Sequence, residues 1–141
     1  MAEGLTIRAA TEQDLPSIAA IQAAAPESSQ WNPRDYLGFD CRIAVAGDSP
    51  LGFIVFRPLA EGEWEILNLA VTPGARRQGV GRQLLSDALS LRRGDFYLEV
   101  RESNAAARRF YESFGFELVT ERLRYYSNPQ ESAIVMKLYS C

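Results

Sequence analysis

The stretch Asn68-Leu-Ala-Val-Thr-Pro-Gly-Ala-Arg-Arg-Gln-Gly-Val-Gly-Arg-Gln-Leu-Leu85 decides how this chain is read. An apolar strand, Glu65 to Val71, runs into a Pro-Gly break. Arg76 and Arg77 follow, and Gly79 opens a helix. The first amides of a helix have no intrahelical acceptor, and the helix dipole adds positive potential at the same end. Gly79 and Gly81 carry no Cβ, so a ligand can come close to the main chain. Arg76, Arg77 and Arg82 bring positive charge beside those donors. The combination describes a phosphate cradle.

Which phosphate it suits follows from what is absent. A P-loop needs Gly-x-x-x-x-Gly-Lys-Ser/Thr, and no lysine follows these glycines. A dinucleotide fingerprint needs three spaced glycines directly after a strand, with an acidic residue about 20 further on. The pattern here, Arg76-x-x-Gly79-x-Gly81, resembles the Gln/Arg-x-x-Gly-x-Gly/Ala loop of the GNAT acetyltransferases. In that family the loop wraps the pyrophosphate of acetyl-CoA. The helix that follows presents Leu84, Leu85, Ala88 and Leu89 on one apolar face.

Bulk composition narrows the function further. The chain has 141 residues, 47% of them hydrophobic, which is enough for a core in a single domain over 1–141. A net charge of −3 and a pI near 5.0 argue against nonspecific nucleic-acid binding, which needs a basic face. Arg92 and Arg93 read as solvated helix surface. Cys41 and Cys141 make no disulfide framework and have no metal-ligand spacing. Cys41 reads as a small buried strand residue. With no signal peptide and no membrane-length apolar run, the expectation is a cytoplasmic protein without a membrane partner. The chain has no histidine at all. Ser-His-Asp and Cys-His sites and histidine-ligated metals are excluded, and no metal is expected. Proton transfer must use Glu, Asp, Tyr, Lys, Cys or water.

The order of elements predicts an α/β fold with a mixed sheet. A strand over Leu5 to Ala9 precedes a capping box, Thr11-Glu-Gln-Asp14, and a helix carrying Leu15, Ile18, Ala19 and Ile21. Pro26 to Pro33 is a polar loop holding Trp31, followed by a short helix over Arg34 to Leu37. Cys41 to Ala46 and Leu51 to Leu59 form a hairpin across Gly47-Asp-Ser-Pro50. Glu65 to Val71 reads as a central strand covered on both faces. The loop helix ends near Arg92, Phe96 to Val100 is a strand, and Asn104 or Ser103 caps a helix closed by Gly115. Two last strands, Glu117 to Tyr126 and Ala133 to Leu138, flank a turn with Asn128-Pro129. About seven strands and about four helices result, with a right-handed parallel crossover across the phosphate loop.

A second constellation lies after that loop. Strand alternation puts Phe96, Leu98 and Val100 on one face, and Tyr97, Glu99 and Arg101 on the other. A carboxylate in an apolar strand is costly unless paired or functional. Pairing with Arg101 or a neighbouring arginine is the structural alternative for Glu99. Asn104, Arg108 and Tyr111 stand at i, i+4 and i+7 and share a helix face. That face rises roughly 10 Å, enough to follow an extended arm such as pantetheine toward its sulfur.

Leu98-Glu-Val-Arg-Glu-Ser-Asn-Ala-Ala-Ala-Arg-Arg-Phe-Tyr-Glu-Ser-Phe-Gly-Phe116 resembles the RimI-type protein N-terminal acetyltransferases within GNAT, which carry Leu-Glu-Val-Arg-x-Ser-Asn and then Tyr-Glu-x-x-Gly-Phe. Trp31, Glu65 to Val71, Arg122-Leu-Arg-Tyr-Tyr126 and Ala133 to Met136 are similar to it too. The resemblance covers nearly the whole chain, except for Pro73-Gly-Ala75 and a weak match over Pro26 to Gly38. It implies a GNAT fold and acetyl-CoA as cosubstrate. It implies Glu99 as general base and Tyr111 as general acid. Coenzyme contacts fall on Leu69, Ala70, Val71, Arg77, Gln78, Gly79, Val80, Gly81, Arg82 and Asn104. The implied acceptor is a protein or peptide N-terminus, such as the alanine of a ribosomal protein. Glu65 is placed to attract its ammonium, and Tyr125 and Tyr126 to line its peptide. Packing is the alternative role for Tyr111, Tyr125 and Tyr126. Lysine, polyamine or aminoglycoside acceptors, or a non-catalytic acetyl-CoA-binding module, are the remaining functional alternatives.

Overall fold

Glycines with left-handed backbone punctuate the chain at Gly47, Gly62, Gly79, Gly94 and Gly115, and elements begin or end beside each. The computed structural model describes residues 4–26, 30–127 and 130–140, without the side chains of 124, 125 and 127. Among them run β1 (Leu5–Ala9), β2 (Asp40–Ala46), β3 (Ser49–Ala60), β4 (Glu63–Val71), β5 (Asp95–Arg101), β6 (Glu117–Ser127) and β7 (Gln130–Leu138). They form a seven-stranded mixed sheet in the order β1-β2-β3-β4-β5-β7-β6. The α-helices described are α1 (Leu15–Ala23), α2 (Val80–Leu91) and α3 (Ala105–Glu112). The fourth helical segment expected at Arg34 to Leu37 is a 3₁₀ helix, Pro33–Gly38, started by Asn32, whose Oδ1 accepts the Arg34 N–H at 3.1 Å. The expected turn at Asn128-Pro129 and part of the Pro26 to Pro33 loop lie outside the described residues.

The chain resolves into two compact units, Met1–Arg57 with Leu67–Arg92, and Pro58–Ile66 with Arg93–Cys141. In the first, Ile18 and Ile21 of α1 pack with Tyr36, Ile43, Phe53, Val55 and Ala70. The Thr11 capping box is present, with the Thr11 N–H donating to Asp14 Oδ2 at 2.8 Å, and its first turn is 3₁₀ before α1 begins. Arg8 clamps the same carboxylate with two bonds of 2.8 and 2.9 Å, holding Asp14 down at about 2. Helix α2 buries Val80, Leu84, Leu85 and Ala88; of the apolar face read from sequence, Leu84, Leu85 and Ala88 are buried and Leu89 is half-buried. Ion pairs Arg42–Asp87 (2.8 Å) and Arg92–Asp40 (2.9 Å) tie it to β2, so Arg92 is an anchored side chain rather than solvated surface. Cys41 is buried as expected, and burial pushes its thiol up to about 12, which keeps it unreactive.

In the second unit β5 runs parallel to the start of β4 and antiparallel to β7. Phe96, Leu98, Ile134, Met136, Tyr111 and Phe116 are buried. Trp64 stacks on Phe96 at 6.4 Å and donates its indole N–H to the Arg93 carbonyl at 3.0 Å.

Strand β4 corrects one expectation. It is central in the sheet, but only Ile66, Asn68 and Ala70 are buried, while Glu65, Leu67, Leu69 and Val71 are half-buried. Its pairing with β5 covers only Glu63↔Asp95, Trp64↔Phe96 and Glu65↔Tyr97. The strand enters with alternating burial because one face carries the core and the other does not.

Gly94 has φ of +132°, and a Cβ there would sit 2.2 Å from the Gly62 carbonyl oxygen. Both backbone strain and overlap therefore oppose a side chain. Gly94→Ala should destabilise the protein by about 3 kcal/mol or more, read by urea unfolding. A loss under about 1 kcal/mol would show that the Gly62–Gly94 contact relaxes freely.

Candidate active site

Two sets of functional side chains emerge, one in each unit. In the first unit Pro73–Ala75 forms a 3₁₀ turn after β4, and the chain then reverses through Arg76 to Gly79. Arg77 takes φ of +66°, the one non-glycine with positive φ among the described residues. A left-handed arginine costs roughly 1–2 kcal/mol, strain of the kind that collects at functional loops. Gly79 is the helix N-cap at φ +83° and offers no side-chain cap. The first bond of the α2 ladder runs from the Gln83 N–H to the Gly79 carbonyl at 3.0 Å, so the amides of Val80, Gly81 and Arg82 head the helix. Arg77, Gln78 and Arg82 are exposed around them. Gln78 bonds back to the Gly74 carbonyl at 3.3 Å, bracing the turn. Val80 is 1% exposed, so its side chain belongs to the core and only its main chain can meet a ligand. Leu69 and Val71 are half-buried on β4, with Ala70 buried between them.

The second unit carries the acid and base candidates. Register pairing and strand alternation put Glu63, Glu65, Tyr97 and Glu99 on one face of the β4/β5 pair. Asp95 joins that face through its pairing with Glu63 and Lys137 through its pairing with Tyr97, so four carboxylates lie there with cations among them. Tyr97 donates its hydroxyl to Glu63 Oε2 at 3.1 Å, and Lys137 bridges to Asp95 at 3.3 Å. Glu99 is 20% exposed and accepts from Arg122 Nη1 at 2.5 Å. Arg122 stands on β6, across β7 and two residues along in register, which sequence spacing did not reveal. Arg101, the partner weighed from sequence, instead pairs with Glu131 at 3.2 Å and lies 4.3 Å over the Tyr126 ring.

Asn104, Arg108 and Tyr111 do not share one face as free groups. Asn104 precedes α3 as its N-cap, and its Oδ1 accepts the Ala107 N–H at 3.2 Å. Only its side-chain amide N–H groups remain for a ligand. Arg108 reaches back to the Glu102 carbonyl at 3.1 Å. The Tyr111 ring is 7% exposed, edge-on to Phe110 at 5.1 Å and to Phe116 at 5.4 Å. Among the described residues no buried side-chain polar atom lacks a hydrogen-bond partner. Burial raises the Tyr111 pKa above the ordinary phenol value, so the hydroxyl keeps its proton. Tyr126 is half-buried beside Glu131, its register partner, and the Tyr125 side chain lies outside the described residues.

Sequence reasoning missed a buried polar network in the first unit. Gln22, Tyr36 and Asn68 are 6%, 0% and 6% exposed and bond one another. Its one visible signal was Asn68, a polar residue inside an apolar strand.

The head of α2 in the first unit, and Glu99 on β5 with Tyr111 on α3 in the second, are the candidate groups. The family model described as Acetyltransferase (GNAT) family matches residues 8–116, and the chain belongs to that family. It is an N-acetyltransferase of RimI-like sequence. It is 34% identical to the ribosomal protein bS18-alanine N-acetyltransferase of Salmonella typhimurium, over 94% of this chain and 96% of that protein. The crystal structure of the ribosomal-protein-S18-alanine N-acetyltransferase from Escherichia coli is similar at 30% identity and a TM-score of 0.80, covering 96% of this chain and 94% of that one. Ard1 from Thermoplasma volcanium is similar at 29% identity and a TM-score of 0.89, covering 98% and 99%.

A Cβ at Gly79 would meet nothing within 4 Å in the protein, so Gly79→Ala costs only the strain of its φ. The variant should fold and lose about tenfold or more in acetyl-CoA affinity by calorimetry. Unchanged affinity would remove the loop from the coenzyme site.

Proposed function

We propose that this enzyme transfers the acetyl group of acetyl-CoA to the α-amine of a protein N-terminus, of the ribosomal-protein alanine type. The observation that carries this reading is end-to-end likeness to an enzyme of that named activity, across the segments holding Glu99 and Tyr111. The carboxylate face of the second unit supports an amine acceptor. Among the described residues no helix is long and apolar enough to cross a membrane. A ribosomal acceptor places the work in the cytoplasm.

The loop from Arg77 to Arg82 binds the pyrophosphate, with the α2 amides as donors. An α-amine has an ordinary pKa near 8, so roughly a tenth is neutral at pH 7. Glu99 takes the ammonium proton, directly or through a water, while Arg122 keeps the carboxylate in one orientation. The amine nitrogen then attacks the thioester carbon. An N–H near Ala70 or Val71 holds the oxyanion that forms. The carbon–sulfur bond breaks as Tyr111 gives its proton to the departing thiolate, and the remaining ammonium proton of the attacking nitrogen passes through water to restore the Tyr111 hydroxyl, leaving the neutral amide and the free thiol. Glu65 and Tyr126, with Tyr125, line the acceptor peptide, and Asn104 contacts the coenzyme through its amide N–H groups. No histidine is needed at any step.

The test is an acetylation screen on short peptides with free and blocked N-termini. Transfer should require the free α-amine and favour a small first residue. Acetylation confined to internal lysines would overturn the assignment.

Glu99→Gln and Tyr111→Phe should each lower kcat by roughly 10²–10⁴ while acetyl-CoA affinity stays near normal. Because burial lifts Tyr111 above the ordinary phenol value near 10, its acid form persists as pH rises. The wild-type kcat/KM should therefore climb through about pH 8 with the amine and hold to about pH 10. A fall before pH 9.5, absent in Tyr111→Phe, would contradict the acid role.

A further inference from the structure

The Gln22–Tyr36–Asn68 network joins α1, the Pro33–Gly38 helix and β4, and its donors and acceptors have one consistent orientation. Tyr36 donates its hydroxyl to Gln22 Oε1 at 2.5 Å. Asn68 Nδ2 donates to Gln22 Oε1 at 3.2 Å and to the Tyr36 hydroxyl at 3.1 Å. Gln22 Nε2 donates to the Trp31 carbonyl at 2.6 Å. With its amide nitrogen committed to that side, Asn68 must turn its carbonyl the other way. There Oδ1 accepts the Leu69 N–H at 3.0 Å. A buried network of this kind is costly when half satisfied, so it holds one arrangement.

The place where it ends is what matters. Leu69 lies directly before the Ala70 and Val71 amides on β4. We infer that Asn68 is a positioning residue for acetyl transfer. Oriented by Tyr36 and Gln22, it fixes the Asn68–Leu69 peptide group and thereby the aim of the following β4 amides at the thioester oxygen. This rests on the acetyl-transfer reading given above, though not on the identity of the acceptor. Electrostatic stabilisation of an oxyanion depends on donors held in place before the reaction, so a small rotation of the strand is felt in rate more than in binding.

The test compares Asn68→Ala and Asn68→Asp in the full chain. Alanine removes both the donors and the Leu69 acceptor. Aspartate keeps an oxygen for the Leu69 N–H but places a buried charge against Gln22 Oε1. A merely structural residue would make aspartate the worse substitution in every readout, because an unpaired buried charge costs more than a missing amide. A positioning residue separates the readouts. Thermal stability should fall further in Asn68→Asp, whereas kcat should fall further in Asn68→Ala, by about tenfold or more. The acetyl-CoA dissociation constant should stay within about twofold in both. Exchange of the Leu69 amide proton should speed up in Asn68→Ala and less so in Asn68→Asp. Where Asn68→Ala does not fold, Tyr36→Phe removes one hydroxyl from beside Asn68 Nδ2 and should lower kcat about threefold with the same unchanged coenzyme affinity.

Rates are measured both with peptide and as slow hydrolysis of acetyl-CoA, which forms the same oxyanion without any amine acceptor. Failure of the wild type on every free α-amine would overturn the acceptor assignment and leave the hydrolysis comparison intact. Equal kcat in wild type and Asn68→Ala, by peptide and by hydrolysis, would overturn the positioning role, as would a kcat order that simply follows stability.

Discussion

One main-chain contact sets where β5 can lie. The Asp95 N–H meets the Gly62 carbonyl at 2.9 Å, and the chain before it passes so close that Gly94 leaves no room for a side chain. That bond starts the parallel register Glu63↔Asp95, from which Tyr97 and Glu99 inherit their face beside Glu63 and Glu65. A slip of one residue would turn every side chain of β5 over, burying Glu99 and exposing Leu98. The glycine pair is therefore a condition for the carboxylate face as much as for the sheet.

The chemistry is divided between elements with different physical demands. In the proposed reaction, coenzyme recognition falls to main-chain amides at the head of α2, where side chains would obstruct, and glycines and a strained arginine occupy the turn. The proton transfers proposed fall to side chains held by burial and ion pairing. Tyr111 is gripped by two aromatic neighbours, and Glu99 is steadied by Arg122. Without histidine, no side chain with an ordinary pKa near neutrality is present, and the titrating partner is the amine itself.

Much of this was legible because it is local. The Arg76 to Gly81 loop, the apolar face of α2 and the alternation along β5 are written in short-range spacing, and the structure places them as read. What escaped reading is what arrives from far along the chain. Arg122 reaches Glu99 over an intervening strand, and no spacing encodes that. Asn68 was hidden in a run whose apolar neighbours suggested a strand covered on both sides, while the structure buries only alternate residues. Asn104 was read both as a helix cap and as a coenzyme contact. Its carbonyl serves the cap, because an exposed first-turn amide takes the nearest acceptor.

The outermost strand, β6, has a consequence for the molecule as a material. It lies at the sheet edge with Leu118 and Leu123 exposed at 53% and 76%, an invitation to strand-on-strand growth between copies. Two register shifts against β7, at Leu118/Thr120 and at Arg122/Tyr126, interrupt the flat run such growth requires. Glu117, Glu121 and Arg122 set charges along it. Those irregularities keep a greasy edge from templating fibres, and straightening β6 would trade solubility for order.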